Sequence, residues 1–380
     1  MRTSIFKALS CLVVALIIGG EAYSLADDTK LTKTVTRKFK VNQNVNIDIA
    51  NKYGQVIVNT WSKDSVVVNI QVSAFGRNDK EAGKSMDRVD FDFNNVSNFL
   101  TINTVFDRSS GSFKELFNSI GDYSKSLLSK NKLQVDYEIF IPAKAALDLE
   151  NKFGDVYINK HSGRLKIVMS HGDLRSNDLT GSAQIEIGFG KGYFKNLQDA
   201  DLTSRASELE IGQTANLSLT SSSSEVSIKE AFSVKLDSRN DDIRINKIQV
   251  LQGKGVFTDL NLGEIETLLD LDLSYGSMMT GVILSKFSKI KVDGKSTDIN
   301  LYISDRSSFR GTLIAKNEDL SLDRTFSKFL NSEHIDRKGT SVVTGSYGKN
   351  GNPTSEVIVD AHGGSLTVRL VEETLSTLKD

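Results

Sequence analysis

The chain is poor in the residues that staple or interrupt a fold. One cysteine, Cys11, occurs in 380 residues, and it lies inside the apolar N-terminal stretch. Without that stretch no thiol is left, so a large buried core has to supply the stability that disulfides would otherwise provide. Only 2 prolines stand against 28 glycines. Proline removes a ladder donor, so a chain that is mostly paired strand excludes it, whereas Gly, Asn, Asp and Ser suit sharp corners between strands. A dominant charge is missing too. Removing Arg2, Lys7 and Glu21 with the N-terminal stretch turns 47 basic and 48 acidic residues into 45 and 47, which offers no electrostatic case for nucleic acid or anionic lipid. No second apolar run of about 18 residues follows the first, so no transmembrane segment is expected in the mature chain.

Residues 1–26 read as a secretory signal peptide. Arg2 and Lys7 precede an apolar run over residues 8–20, too short to span a bilayer comfortably, and Ser24 and Ala26 supply the small side chains that a signal peptidase requires. Cys11 precedes most of that run, which is not the position of a lipoprotein cysteine. Export to the periplasm, the outer-membrane surface or the extracellular space is the expectation.

What the chain does have is a phrase that returns. Asn51-Lys-Tyr-Gly-Gln-Val-Ile-Val-Asn59 recurs as Asn151-Lys-Phe-Gly-Asp-Val-Tyr-Ile-Asn159. A weaker form then follows at short intervals: turn-formers, an acid, then apolar-x-apolar. Its leading apolar position runs through Val156, Leu174, Gly192, Leu209, Val226, Ile243, Leu260, Met278, Ile299 and Leu320, in steps of 17 to 21 residues. A second alternating run is visible in most repeats, as in Leu217/Leu219 and Val234/Leu236. Two short strands and their corners in so few residues fit one coil of a parallel β-helix, each coil stacking on the last at roughly 4.8 Å. A propeller blade or a helical solenoid does not fit that period. The expected fold is therefore all-β, a right-handed parallel β-helix (solenoid) over 146–380. A β-rich region at 27–145 precedes it, with a helix/loop excursion at 75–131 that includes a short helix near 79–87.

Together the leader, these two phrases, the strand Tyr137-Glu-Ile-Phe-Ile-Pro-Ala143 and the coil repeats resemble a family of bacterial putative adhesins. These are β-strand repeat proteins of unknown function, similar to the head domains of autotransporter adhesins. The resemblance covers about residues 40–380. It implies a right-handed β-helix outside the cytoplasm of a Gram-negative organism, and it carries over no catalytic or binding residue.

Chemistry is sparse. The residue before the leading apolar position is acidic in eight of ten coils: Asp155, Asp173, Glu208, Glu225, Asp242, Asp259, Asp298 and Asp319, with Lys191 and Ser277 as exceptions. A carboxylate ladder suits Ca²⁺, yet six to eight oxygens per ion are needed, and an acid accepting backbone N–H groups at a corner is the simpler role. Asp241 and Asp242 with Arg239 and Arg244 read as a solvated charged edge, and Thr220–Ser224 as small hydroxyls at a corner. Phe153, Phe189, Phe257 and Tyr275 share one coil position and read as an internal aromatic ladder, with a sugar platform as the functional counterpart. His161, His171, His334 and His362 read as exposed turn residues.

No catalytic residue, metal site or cofactor is assigned. The expected function is a secreted or envelope-associated, non-enzymatic binding or scaffold protein whose partner is a glycan or an envelope surface protein. A polysaccharide lyase or glycosidase on the same stack is the alternative.

Overall fold

A computed structural model of the chain describes residues 29–106, 133–324, 330–334, 339–349 and 353–373. The expected leader at 1–26 and the polar stretch at 107–131 lie outside the described residues. The described chain is all-β: 25 strands joined in one mixed sheet, with a single α-helix at Asp79–Met86 and a 3₁₀ turn.

The middle of the sheet is parallel. Asp173–Gly188 pairs along its length with Lys191–Arg205, and the pairing continues through Glu208–Ser222, Glu225–Arg239, Asp242–Val256 and Asp259–Ser274. Leu209 lies beside Val226 and Val226 beside Ile243, so the repeat counted in the sequence is the register of the sheet. Coils one residue longer keep register by a bulge, between Leu179 and Ser182 and again between Ile248 and Val250.

Each long strand is two alternating runs joined by a gentle bend. In the coil opened by Glu208, Leu209 and Ile211 face inward from the first run and Leu217 and Leu219 from the second, none more than 2% exposed. Burying each such aliphatic side chain contributes about 1.5–3 kcal/mol, and every coil adds a similar set. The second run ends in a tight corner, where one residue per coil takes a left-handed φ: Tyr53, Phe153, His171, Phe189, Ala206, Ser223, Asn240, Phe257, Tyr275 and Ser296. Left-handed backbone is costly for residues other than glycine. Pairing continues around the corner and offsets that cost. The Phe153 N–H donates to the Ser170 carbonyl, and those of His171 and Phe189 to Gly188 and Arg205, each at 3.0 Å.

The residue after the left-handed one packs against the preceding coil's backbone. A Cβ on Gly154 would stand 2.0 Å from the Gly54 carbonyl oxygen, so glycine is required there by contact. Further along the stack the same position holds Ser207, Ser224, Asp241 and Thr258, all buried.

Both ends of the stack depart from chain order. At one end Phe99–Phe106 and Leu133–Pro142 lie outside Asn46–Lys52 and Val56–Trp61, whose other edges pair with Ala146–Lys152 and Val156–His161. The segment expected to leave the stack between 75 and 131 thus returns a strand to it, while Asp79–Met86 is helical as expected. Asn78 caps that helix by accepting the Glu81 N–H at 2.9 Å. At the other end Ser355–His362 and Leu366–Val371 slot between Lys289–Ser304 and Phe309–Leu322. Leu320 therefore neighbours Leu366, not Ile299 as the simple count implied. The count reads which residues face inward, but nothing in a period-2 pattern states which coil lies above.

Antiparallel strands close both ends. Ser65–Gly76 pairs with Leu133–Pro142 and carries Thr29–Lys40 on its far side, and Thr340–Tyr347 pairs with Phe309–Lys316. Covering the terminal coils in this way satisfies edge N–H and C=O groups that would otherwise template other strands.

Candidate functional site

The acidic column is real in its geometry. Asp173, Lys191, Glu208, Glu225, Asp242, Asp259, Ser277 and Asp298 are successive register partners. Asp319 is not next in that series, because the coil containing Ser365 lies between it and Asp298. The carboxylates are engaged locally. Asp155 accepts the Asp173 N–H at 2.9 Å and the Tyr157 hydroxyl at 3.1 Å. Asp173 pairs with Arg175 at 3.2 Å, Glu208 with Lys191 at 2.5 Å, and Arg244 bridges Glu225 and Asp242 at 3.0 Å each. Asp259 accepts the Ser277 hydroxyl, while Asp298 accepts the hydroxyl and N–H of Ser365, which hold its pKa below the usual carboxylate value. No group of three or more metal-ligating side chains occurs among the described residues.

Asp241 behaves differently from the solvated edge expected for it. It is 5% exposed and accepts from the hydroxyls of Ser221 and Ser238 at 2.7 and 2.5 Å and from the N–H groups of Ser224 and Arg239 at 2.7 and 3.0 Å. The serine run and the acid are one buried corner. A second buried network joins the two phrases. Asn51 Nδ2 donates to the Val135 carbonyl at 3.0 Å, Asn151 Nδ2 to the carbonyls of Gly54 and Gly154 at 3.0 and 2.9 Å, and the Thr104 hydroxyl links Asn51 Oδ1 to Tyr137.

The aromatic column faces out, not in. Tyr53, Phe153, His171 and Phe189 stack with ring centroids 4.9 to 5.5 Å apart, and Phe257 stacks on Tyr275 at 5.1 Å. Phe189 and Phe257 are 62% and 58% exposed. A left-handed corner residue sits on the outside of the bend, which is why these rings do not enter the core. His171 belongs to this stack, whereas His161 is buried beside Leu179.

Beside the acids, the outward residues of each first run line an open groove of about 880 Å³. Tyr157, Arg175 and Tyr193 are successive register partners in one row of it. The Arg175 guanidinium lies 4.9 Å over the Tyr193 ring, and its hydrogen bond to Asp173 raises its pKa further. Burial and the nearby Asp155 push the Tyr157 hydroxyl up, so it remains a donor at neutral pH. Two positions along each strand, Asn177 Nδ2 donates to Asn159 Oδ1 at 2.7 Å, and Lys195, Gly212 and Lys229 continue the groove floor. Gly212 leaves a side-chain-free notch between the two lysines. Ring faces, amides and paired charges repeated at the layer spacing form a surface for holding an extended polar chain. The sequence count did not single out this groove, although its members stand one and three positions after each leading apolar residue.

No family model and no curated protein sequence matches the chain. Solved structures give matches, among them a putative cell adhesion protein from Clostridium sporogenes, 10% identical over 90% of this chain and 100% of that one, with a TM-score of 0.19. A putative adhesin from Bacteroides fragilis is 12% identical over 89% of this chain and 97% of its own, with a TM-score of 0.26. A putative lipid binding protein from Parabacteroides distasonis is 13% identical over 71% and 93%, with a TM-score of 0.26.

Proposed function

We propose that this protein is a non-enzymatic, envelope-associated binding protein, built as a right-handed parallel β-helix, whose groove holds an extended glycan. It acts outside the cytoplasm after export. The observation that carries this reading is the register of Tyr157, Arg175 and Tyr193 beside the Asn159–Asn177 amide pair. Sugar rings present apolar faces and hydroxyl edges together, and this surface offers ring faces and amide hydrogen bonds side by side. The carboxylates along the groove's edge are held by Arg175, Lys191 and Arg244, an arrangement suited to a fixed binding surface.

A glycan array probed with the purified protein, followed by calorimetry, tests the reading. Binding of at least one oligosaccharide is expected, with Tyr157→Ala and Tyr193→Ala each weakening it about tenfold, roughly one lost ring contact. Cleavage of the bound glycan would replace the proposal with a carbohydrate-active enzyme. Binding only to envelope proteins, or to nothing on the array, would remove the glycan.

A further inference from the structure

The exposed aromatic column is interrupted. Between Phe189 and Phe257 the left-handed corner holds Ala206, Ser223 and Asn240, all exposed, so three coils lack a ring. His171 stacks on one side of Phe189 and Tyr275 on one side of Phe257, leaving their other faces toward the gap. Four coil steps separate those two rings, roughly 19 Å at the inter-strand spacing. The residues just before the corner in these coils are Arg205, Ser222 and Arg239. Both arginines are exposed, and neither has an ion-pair partner among the described residues. Across the corner, Glu208 pairs with Lys191, and Glu225 and Asp242 share Arg244. The rim of the gap thus presents two exposed guanidinium-bearing positions two coils apart, roughly 10 Å.

We propose that this gap binds an acidic polysaccharide with a carboxylate on every second sugar. A pyranose ring packs its apolar face on an exposed aromatic ring, which Phe189 and Phe257 supply at the two ends. A span of three coils admits a short run of sugars over the small side chains of Ala206 and Ser223. Carboxylates spaced by one disaccharide meet Arg205 and Arg239, and guanidinium–carboxylate pairing is bidentate and charge-assisted. The rings keep their strained corner conformation although an aromatic residue is not required there, since alanine, serine and asparagine occupy the equivalent position. This site lies on the corner and uses no residue of the Tyr157–Tyr193 row.

Calorimetric titration of the full chain with a tetrasaccharide of alternating uronic acid and neutral sugar, against a neutral tetrasaccharide of equal length, tests the proposal. The acidic compound is expected to bind at least about tenfold more tightly, and to weaken as salt rises, because exposed ion pairs are screened. Ser223→Phe fills the gap with a ring that the corner accepts elsewhere, and is expected to abolish the preference. Arg205→Gln with Arg239→Gln, both exposed and so without consequence for folding, is expected to remove it too. Equal affinity for the two compounds, no binding of the acidic one, or an unaltered preference in the double arginine variant overturns the proposal.

Discussion

Asn51 and Asn151, 100 residues apart in the chain, are register neighbours at one corner of the sheet, and the Nδ2 of the first donates to the Oδ1 of the second at 3.2 Å. Both are fully buried. The pair stitches the first coil to the second by bonding to the Val135, Gly54 and Gly154 carbonyls, so each copy of the repeated phrase protects the backbone of its neighbour.

Replacing Asn151 with alanine removes the side-chain donor to the Gly54 and Gly154 carbonyls and one acceptor of the Asn51 amide. Unsatisfied buried groups cost about 1–3 kcal/mol each, and partial relaxation brings the expected total to about 2–4 kcal/mol. A lower urea midpoint at unchanged slope checks it. Asn151→Asp should be worse at neutral pH than at acid pH. Its carboxylate would face carbonyl oxygens, so its folded pKa would rise, and stability would be lost as pH rises through that value.

Asp241 draws four donors from two coils. Asp241→Ala leaves the hydroxyls of Ser221 and Ser238 and the Ser224 and Arg239 N–H groups without their acceptor. A loss of about 3 kcal/mol or more is expected in chemical denaturation. Asp242→Ala, at the half-buried neighbour paired with Arg244, should cost less than Asp241→Ala, about 1 kcal/mol. Equal losses at the two positions would contradict the buried role of Asp241.

His161 is 2% exposed, and burial holds its pKa below the ordinary 6.5, an effect that the nearby backbone of Arg164 and Ala145 only partly offsets. Below 6.5 the unfolded chain takes up a proton that the folded chain refuses. The stability is therefore complete above that value and falls as pH drops toward the folded pKa, by up to about 1.4 kcal/mol per pH unit. The register partner of His161 is Leu179, so His161→Leu continues an apolar column. Melting temperatures at pH 7 and pH 5 should differ less in that variant than in the parent protein.

Gly154 and Gly83 make a matched test of close approach. Alanine at 154 drives a methyl against the Gly54 backbone, whereas at 83, within the Asp79–Met86 helix, nothing lies within 4 Å. Gly154→Ala should destabilise by about 3 kcal/mol or prevent folding, while Gly83→Ala should stabilise by about 0.5–1 kcal/mol through helix propensity. Thermal melts of both variants decide it.

The register of the stack was legible because burial enforces it: a strand with one inward face cannot slip by a residue without exposing Leu209, Ile211 and their equivalents. Lys191 and Ser277 fall in the acidic column where counting put them. Asp241 was misread, although one signal was present: it occupies the place of Gly154, Gly172 and Ser207, where a charged side chain needs a reason. His161 had a similar signal, standing in a column with Leu179 and Leu197. The direction of the aromatic column was not legible, because spacing fixes a coil position but not the sign of φ. The end coils were not legible either, since Leu320 and Leu366 open equivalent strands and only long-range pairing chooses their order.

The placement of Ser355–Val371 one layer in from the end bears on how the molecule comes to be assembled. Those strands are made after Phe309–Leu322 but lie beneath them. The coil of Phe309–Leu322 therefore has no bed to settle on until Ser355–Val371 has been made. A chain cut short after residue 322 would lose two layers, not one, because the coil already present would have nothing to rest against. Those later strands act as a keystone, so this end of the stack can close only on a chain produced through Val371.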